Sequence, residues 1–300
     1  METNKNTMKM ETTKTPKFDL HVHTTASDGS MNSKQIVAEA KRIGLTTMAI
    51  TDHDTIGNVK ECIEEGRKNG IRIIPGIEMS AEINKGKMHI LGYGIDPDNE
   101  EFNIEMKKLR DGRETRNNTI IERLKELYNV EISIEDVKKH AKGETIAKPH
   151  IAAAIVEKGY CPDVKTTFAK ILGNDDIDSI ERKKLSPREC IELIKKAGGI
   201  AFLAHPYSLK LSDEETFAKI KELQTFGLSG VEAYHSSHTP KQSDAYLKMA
   251  RELGLMISCG SDFHGLDVKN DVMLGLGTNG NIPTDNEEIL APILKALKME

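Results

Sequence analysis

The chain has 300 residues, and its 42 lysines and arginines are outnumbered by 47 aspartates and glutamates, which gives a formal net charge of −5. This acidic balance argues against a protein that grips long duplex DNA by bulk charge. The four cysteines are widely separated and form no Cys-x-x-Cys pair. They therefore indicate neither a zinc knuckle nor a disulfide framework, and they predict the reduced thiols of a cytoplasmic protein.

The N-terminal residues 1–16 contain no apolar core of a signal peptide and are predicted to form a disordered tail. No stretch of the sequence reaches membrane-spanning length, so no membrane association is expected. A chain of this length has room for one large α/β domain with an insertion, or for two domains.

The first β-rich run, FDLHVH, ends in two histidines one residue apart. Alternate side chains of a strand point to the same side, so His21 and His23 share a face and can reach one metal ion together. Asp28 follows five residues later and is a further candidate. The alternative is an exposed strand end with unrelated polar residues, because short motifs often occur by chance.

Short β-rich runs alternate with helical patterns along the chain. FDLHVH precedes a helix for which Ser33 is the expected N-cap and Gly44 the expected end. Next come TTMAITDHD, a helix near 58–68, IRIIPGIEMSA and KMHILGYGI. After residue 186 follow the capped helix SPRECIELIKKAGG, then IAFLAHP, GVEAY, a helix near 241–253, LMISCGSDFHG and a last helix from about 286. Seven such runs predict parallel strands with helices outside, in a barrel or a doubly wound sheet.

The stretch 100–185 contains no convincing strand and several helical patterns. It is predicted to be a helical insertion that lies over one end of the sheet. The expected division is therefore a core domain made of 17–99 and 186–300, with 100–185 inserted into it.

Polar side chains stand at the ends of successive predicted strands. The carboxyl ends of parallel strands meet on one face, so side chains more than two hundred residues apart would converge there. A single histidine is more often a hydrogen-bonded, partly buried residue than a ligand. A whole series at strand ends instead predicts a polynuclear metal site, formed from His21, His23, His53, Glu78, His89, His205, Asp262 and His264.

Six motifs together identify a family resemblance. They are HVHTTASDG, GLTTMAITDHDTIG, IPGIEMSA, HILGYGID, GGIAFLAHP and CGSDFHG. This set resembles the PHP (polymerase and histidinol phosphatase) superfamily of metal-dependent phosphoesterases. The segments LRDGRETRNNTIIERL, AKPHIAAAIVEKGY and VEAYHSSHTPKQ are similar to the branch that acts on nucleotide 3′,5′-bisphosphates and on 5′ ends of short RNA. The resemblance implies an α/β fold, a distorted seven-stranded (β/α) barrel with a helical insertion domain over the active site.

The resemblance also implies two or three divalent metal ions, Mn, Fe or Zn. One ion would be held by His21, His23, Glu78 and Asp262. Glu78 would bridge to a second ion on His89 and His205, and Asp28, His53 and His264 would hold a third. Many family members have histidine where Asp28 stands, and a carboxylate there favours manganese or iron over zinc. Asp52 and Asp54, beside His53, are expected to orient ligands rather than to bind metal.

Such a centre predicts hydrolysis of a phosphate ester by attack of metal-bound hydroxide, without a serine or cysteine nucleophile. The candidates for protonating the leaving group or holding phosphate are His238 and His235; a loop position without function is the alternative.

The predicted insertion contains a basic stretch, since residues 107–125 include seven basic and three acidic side chains. A helix would place Arg113, Arg116 and Arg123 broadly on one side. Guanidinium groups match phosphate oxygens, so Arg113 and Arg116 are the candidates for a second phosphate of the substrate, with His150 as a further candidate. A solvated surface helix is the alternative.

The expected substrate is therefore a phosphorylated small molecule or short single-stranded RNA, with no duplex DNA and no obligate protein partner. Two alternatives stay open at this level. One is a histidinol-phosphate phosphatase, and the other is a catalytically inactive PHP module that serves in interactions and would be expected to have lost ligands. The basic stretch and the HSSHTPKQ segment favour the nucleotide branch.

Overall fold

The structure is a computed structural model that describes residues 17–141, 146–180 and 184–300. The predicted tail at 1–16 lies outside the described residues. The seven predicted strands are all present: β1 (Phe18–Val22), β2 (Thr47–Ile50), β3 (Arg72–Ala81), β4 (Met88–Tyr93), β5 (Ile200–Leu203), β6 (Gly230–His235) and β7 (Met256–Gly260).

The strands follow one another in chain order around a single sheet. The two outer strands, β1 and β7, come together at an isolated parallel bridge between Val22 and Phe263. Across the same seam the Asp262 N–H donates to the His21 carbonyl at 2.9 Å. The sheet is thus a distorted, nearly closed barrel, which confirms the barrel and excludes the doubly wound alternative.

One strand departs from the parallel prediction. β4 runs antiparallel to both β3 and β5, whereas the other four pairs are parallel. Only residues 82–87 connect β3 to β4, and a parallel pair needs a crossover of about a dozen residues or more. The expectation of parallel strands is therefore wrong at β4, and the short connection explains why.

Helices surround the barrel and fill the long connection between β4 and β5. They are α1 (Ser33–Ile43), α2 (Val59–Asn69), α3 (Glu100–Tyr128), α4 (Ile134–Lys138), α5 (Lys148–Glu157), α6 (Val164–Thr167), α7 (Asp175–Asp178), α8 (Pro187–Lys196), α9 (Asp213–Phe226), α10 (Pro240–Glu252) and α11 (Glu287–Ala296). No helix within the described ranges is long and apolar enough to cross a bilayer.

The start of α1 differs from the prediction by one residue. Asn32 is its N-cap, since the Asn32 side chain accepts a hydrogen bond from the Gln35 N–H at 3.0 Å and the Gln35 side chain accepts one from the Asn32 N–H at 3.0 Å. Ser33 is instead the first helical residue and is buried. Asparagine caps helices as well as serine does, and Gln35 completes a capping box only with Asn32. Gly44 ends the helix in the left-handed region, as predicted.

Helix α3 connects the barrel with the helices that follow it. Its first turns place Phe102, Met106 and Leu109 in the main hydrophobic cluster of the barrel. Its later turns place Ile120 and Leu124 in a separate cluster with residues of α4, α5 and α7. The described part of the stretch 100–180 contains no β-strand. Helix α3, which begins at the predicted boundary at residue 100, therefore packs both against the barrel and against the helices that follow it.

Candidate metal centre

The histidines of the first strand meet two carboxylates inside the barrel mouth. His21 and His23 are fully buried, and the Nε2 atom of each lies 3.2 Å from Glu78 Oε2. Asp262 Oδ1 lies 3.5 Å from His21 Nε2 and 3.1 Å from His23 Nε2. The first predicted ligand set thus converges around a single point, from β1, β3 and the end of β7.

The other oxygen of Glu78 faces a second pair of histidines. Glu78 Oε1 lies 2.6 Å from His89 Nδ1 and 2.8 Å from His205 Nε2, and those two nitrogens are 3.3 Å apart. His205 has φ +23° and Asp262 has φ +57°, both in the left-handed region that non-glycine residues seldom adopt. Strained backbone of this kind concentrates at functional sites, where the surrounding fold holds it.

The third predicted set lies beside the first. Asp28 Oδ1 is 3.3 Å from His264 Nε2 and 3.7 Å from His23 Nδ1, while Asp28 Oδ2 is 4.0 Å from His53 Nε2. His53 Nδ1 also lies 3.0 Å from Glu78 Oε2. His23, His53 and Glu78 therefore each belong to more than one group, and the three sets form one continuous cluster.

These side chains fit a metal centre better than a hydrogen-bond network. His21 Nε2, His23 Nε2 and Glu78 Oε2 are buried and converge, yet none forms a hydrogen bond with a described residue. Buried polar atoms of proteins almost always have partners, so such a group points to an ion. Imidazole and carboxylate ligands without thiolate suit manganese, iron or zinc.

The electrostatics of the cluster favour cations. Burial opposes a charge on His21 and His23, but the neighbouring carboxylates outweigh it: the pKa of His21 rises well above its usual range, and that of His23 rises to about 9. Burial likewise opposes a charge on Glu78, yet the surrounding imidazoles hold its pKa well below the ordinary value. The carboxylates are therefore ionised and offer anionic oxygens to a cation at the barrel mouth.

The family model described as "PHP domain" matches residues 19–297 of the chain. The chain belongs to the PHP domain family.

Among curated relatives, a 5′-3′ exoribonuclease of Haemophilus influenzae is 30% identical over 83% of this chain and 90% of its own length. A phosphoribosyl 1,2-cyclic phosphate 1,2-diphosphodiesterase of Eggerthella lenta is 29% identical over 82% of this chain and 94% of its length. A 3′,5′-nucleoside bisphosphate phosphatase of Chromobacterium violaceum is 28% identical over 82% of this chain and 87% of its own length. A crystal structure from Bifidobacterium adolescentis, assigned as a metal-dependent phosphoesterase, superposes with a TM-score of 0.81 at 29% identity and covers 94% of this chain and 97% of that one.

Glu232 holds two of the predicted ligands of the PHP centre, His21 and His205, in position. Glu232 is not among the residues predicted from the sequence. Its fully buried Oε1 lies 2.9 Å from His21 Nδ1, and its Oε2 accepts the His205 N–H at 2.8 Å. Carboxylates that bind the second ring nitrogen of a ligand histidine fix the orientation of the ring and raise its basicity. The available signal was a single acidic residue inside the apolar strand GVEAY.

Asp52 and Asp54 hold the loops of the PHP centre rather than facing its middle. Asp52 accepts hydrogen bonds from the Thr24 N–H and hydroxyl and from the Ser27 hydroxyl, at 2.6–2.8 Å. These bonds fix the loop that leads from His23 to Asp28. Asp54 accepts the Ser80 N–H at 2.9 Å, which ties the loop after His53 to β3. Both contacts agree with the expected orienting role.

Arg113 reaches the barrel, whereas Arg123 does not. The Arg113 guanidinium is buried and forms an ion pair with Asp54, next to His53. Arg116, one turn further along α3, is partly buried. Arg123 is exposed and pairs with Glu126 on the surface. Arg113 is thus the arginine of the three that reaches the barrel, and Arg123 pairs in solvent more than two turns away.

His150 lies at the start of α5, where its Nδ1 accepts the Ala147 N–H at 3.1 Å. Burial lowers the pKa of His150, although the Asp28 carboxylate acts to raise it. The role of His150 in binding phosphate stays a prediction.

His235 and His238 occupy different surroundings. His235 Nε2 lies 3.3 Å from Asp262 Oδ2, and its Nδ1 accepts the Ser237 N–H at 3.0 Å, so the ring proton stands on Nε2. His238 Nδ1 donates to the Ala233 carbonyl at 3.1 Å, and burial lowers the His238 pKa to about 3. A neutral His238 has an Nε2 that can accept a proton but not donate one. Burial also lowers the pKa of His235, although the carboxylates of Asp262 and Glu232 act to raise it. The roles of His238 and His235 toward the leaving group stay predictions.

Proposed function

We propose that the protein is a metal-dependent phosphoesterase that hydrolyses nucleoside 3′,5′-bisphosphates and the 5′ ends of short single-stranded RNA in the cytoplasm. The observation that carries the proposal is Glu78, whose two oxygens each face a separate set of histidines. Two-metal phosphoesterase sites use such a bridging carboxylate to hold neighbouring ions. The named activities of the curated relatives supply the substrate class.

The proposed centre takes two or three ions of manganese, iron or zinc. Its ligands are His21, His23, Glu78 and Asp262 for one ion, Glu78, His89 and His205 for another, and Asp28, His53 and His264 for a third. The ions supply a nucleophile derived from water and neutralise charge on the phosphate. Glu232 orients His21, and Asp52 fixes the loop that carries Asp28.

The other side chains around the centre bind the substrate and stabilise the leaving group. Arg113, Arg116 and His150 bind the second phosphate of the substrate, from the helical stretch 100–185 that we propose to lie over the barrel mouth. His235, with its proton on Nε2 and its contact to Asp262, donates a hydrogen bond to the leaving oxygen. His238, packed against the His235 ring at 5.3 Å between centroids, keeps that ring in place.

A substrate panel with the manganese-reconstituted protein tests the proposal. The panel contains a nucleoside 3′,5′-bisphosphate, a 5′-phosphorylated oligoribonucleotide, a ribose 1,2-cyclic phosphate ester and histidinol phosphate. We expect hydrolysis of the first two, loss of activity with chelator, and at least two ions per chain by elemental analysis. Turnover of only the cyclic ester or only histidinol phosphate would assign a different substrate. Less than one ion per chain would reject the metal centre itself.

A matched pair of variants separates the centre from the rest of the protein. Glu78→Gln removes the carboxylate shared by the ligand sets and should abolish both activity and metal binding. Glu61→Gln, in the first turn of α2, removes an exposed carboxylate and should change neither.

A further inference from the structure

The loop after β7 places a lysine on the metal centre. Lys269 Nζ lies 2.6 Å from Asp262 Oδ2. The other oxygen, Asp262 Oδ1, faces the His21 and His23 imidazoles. The ammonium group therefore stands beside the ligand cluster and not between its imidazoles. The Lys269 side chain is 35% exposed, whereas that of Asp262 is 13% exposed, so the ammonium lies on the outer side of the carboxylate.

The backbone fixes this position. The Lys269 N–H donates to the Gly265 carbonyl at 2.9 Å, which closes a turn directly after His264. Gly265 has φ +93°, and a Cβ there would meet the Ser30 hydroxyl at 1.9 Å. The Ser30 N–H in turn donates to the His264 carbonyl at 2.7 Å. The turn is thus packed tightly against the loop that carries Asp28, and Lys269 is held toward the centre.

The ammonium retains capacity for a ligand. It has three N–H donors, and Asp262 receives two of them, one at Oδ2 and a long one of 3.4 Å at its backbone carbonyl. The third donor is available to an oxygen that enters the barrel mouth. An ammonium group is a compact point charge that binds phosphate oxygens well.

We propose that Lys269 binds the reacting phosphate and makes the enzyme prefer terminal phosphate monoesters to internal phosphodiesters, an inference that rests on the proposed phosphoesterase function. A terminal phosphate carries about −1.5 to −2 charges at pH 7 and has three terminal oxygens. An internal diester carries a single negative charge and two such oxygens. A fixed ammonium therefore stabilises the bound monoester more. Of the two proposed substrate classes, the nucleoside 3′,5′-bisphosphates are then preferred to RNA.

The test compares wild type with Lys269→Met and Lys269→Arg in the manganese-loaded enzyme. The substrates are a nucleoside 3′,5′-bisphosphate and a 5′-phosphorylated dinucleotide. Lys269→Met should lose about 10- to 100-fold in kcat/KM on the bisphosphate, the range of a charged hydrogen bond, and less than about threefold on the dinucleotide. Lys269→Arg keeps the charge and should retain most of the preference.

Calorimetry gives a readout that does not depend on turnover. Inorganic phosphate should bind the manganese-loaded Lys269→Met protein about 10-fold or more weakly than wild type, while manganese itself binds equally well or more tightly. Lys68→Met is the matched control. Lys68 also forms an ion pair, with Glu65 at 2.8 Å, but it lies in the last turn of α2, at the opposite end of the barrel. The Lys68→Met protein should bind phosphate and manganese as the wild type does and keep the wild-type kcat/KM on both substrates.

Two results would overturn the inference. Equal losses on both substrates, with a parallel fall in manganese affinity, would mean that Lys269 acts only by orienting Asp262. An unchanged preference in Lys269→Met would mean that it does not touch the phosphate. If the wild type hydrolyses neither substrate, the proposed function fails, and the phosphate titration still decides the role of Lys269: weaker binding to Lys269→Met supports it and equal binding rejects it.

Discussion

Glu232 links two predicted ligands without itself facing Glu78. It holds the far nitrogen of the His21 ring and the backbone N–H of His205. Loss of such a partner commonly costs 10- to 100-fold in metal affinity. We expect Glu232→Gln to weaken manganese binding by about this factor, measured by calorimetric titration of the metal-free protein.

The control for Glu232 is Glu222→Gln on α9, which removes an exposed carboxylate paired with Lys219. It should bind manganese as the wild type does. If Glu232→Gln also kept wild-type affinity while remaining folded, His21 would not depend on this contact.

Metal binding to His23 should release protons. In the metal-free chain the pKa of His23 is raised to about 9, so the imidazole is protonated at pH 7. Only neutral imidazole binds metal, and the incoming ion must displace that proton. Manganese affinity should therefore increase as the pH rises from 7 to 9, and the raised pKa of His21 acts in the same direction. Titrations at pH 7 in buffers of different ionisation enthalpy measure the proton release directly, and a value of zero would contradict the assignment.

Most of the predicted ligands could be recognised from sequence because they stand in short motifs at or just after a strand end, although Glu78 lies inside β3 and His89 near the start of β4. HxH, TDHD and SDFH carry the signal locally, and the strand period alone puts His21 and His23 on one face. Lys269 stands in no such motif, and the local signal for Glu232 is only a single acidic residue in the apolar strand GVEAY. The importance of Glu232 comes from a contact with His21, 211 positions away, and that of Lys269 from a turn fixed by packing against Ser30. Only the folded chain shows either contact.

Helix α3 is attached to the barrel by a buried ion pair. Arg113 and Asp54 lie almost fully inside, so removing one partner leaves the other charged and buried. Such a loss typically costs 3–5 kcal/mol. We expect Arg113→Ala to lower the free energy of unfolding by about 3 kcal/mol, measured by denaturant titration. Arg123→Ala, on the same helix but in an exposed pair with Glu126, should change it by less than about 1 kcal/mol.

The substrate role of α3 is tested separately from its attachment. Arg116→Ala should raise KM for a substrate with two phosphates more than for a simple aryl phosphate, because only the former reaches the second phosphate site. Equal increases for both substrates would show that Arg116 does not bind that phosphate.

At the level of elements, the sequence predicted the order of strands and helices but not every pairing. The periodicity of β4 identifies a strand, yet its direction depends on the six-residue connection to β3. The N-cap of α1 was displaced by one residue because two adjacent residues, Asn32 and Ser33, can both cap a helix. Helix α3 lies within the predicted helical stretch, and its change of partners between two hydrophobic clusters is a tertiary property.

The whole barrel is closed by a buried carboxylate at its seam. Asp19 in β1 accepts the His21, Ser261 and Gly275 N–H groups at 2.8–3.2 Å, and it also accepts the Ser261 hydroxyl. These contacts join β1 to the end of β7 and to the loop that follows. They hold His21 and Asp262, which come from opposite ends of the sequence, on the same side of the mouth.

The surface charge of the whole molecule limits the length of the substrate. Net charge is −5, and exposed basic residues of α3 are largely paired with neighbouring acids, as in Lys107–Asp111, Lys108–Glu105 and Lys125–Glu131. The basic excess of this helix therefore does not form a continuous track for a nucleic acid backbone. Binding should depend on the metal centre and a few cations beside it.

The salt dependence of KM measures the number of phosphate contacts directly. Each phosphate contact to a single strand contributes about −0.7 to the slope of log affinity against log salt. With about three contacts, KM for a short 5′-phosphorylated RNA should change with a log–log slope near 2 in magnitude. Lengthening the RNA beyond a few nucleotides should not steepen the slope, and duplexes should be poor substrates. A much steeper slope that grows with length, together with tight binding to long duplex DNA, would show instead that α3 and its neighbours follow the nucleic acid backbone.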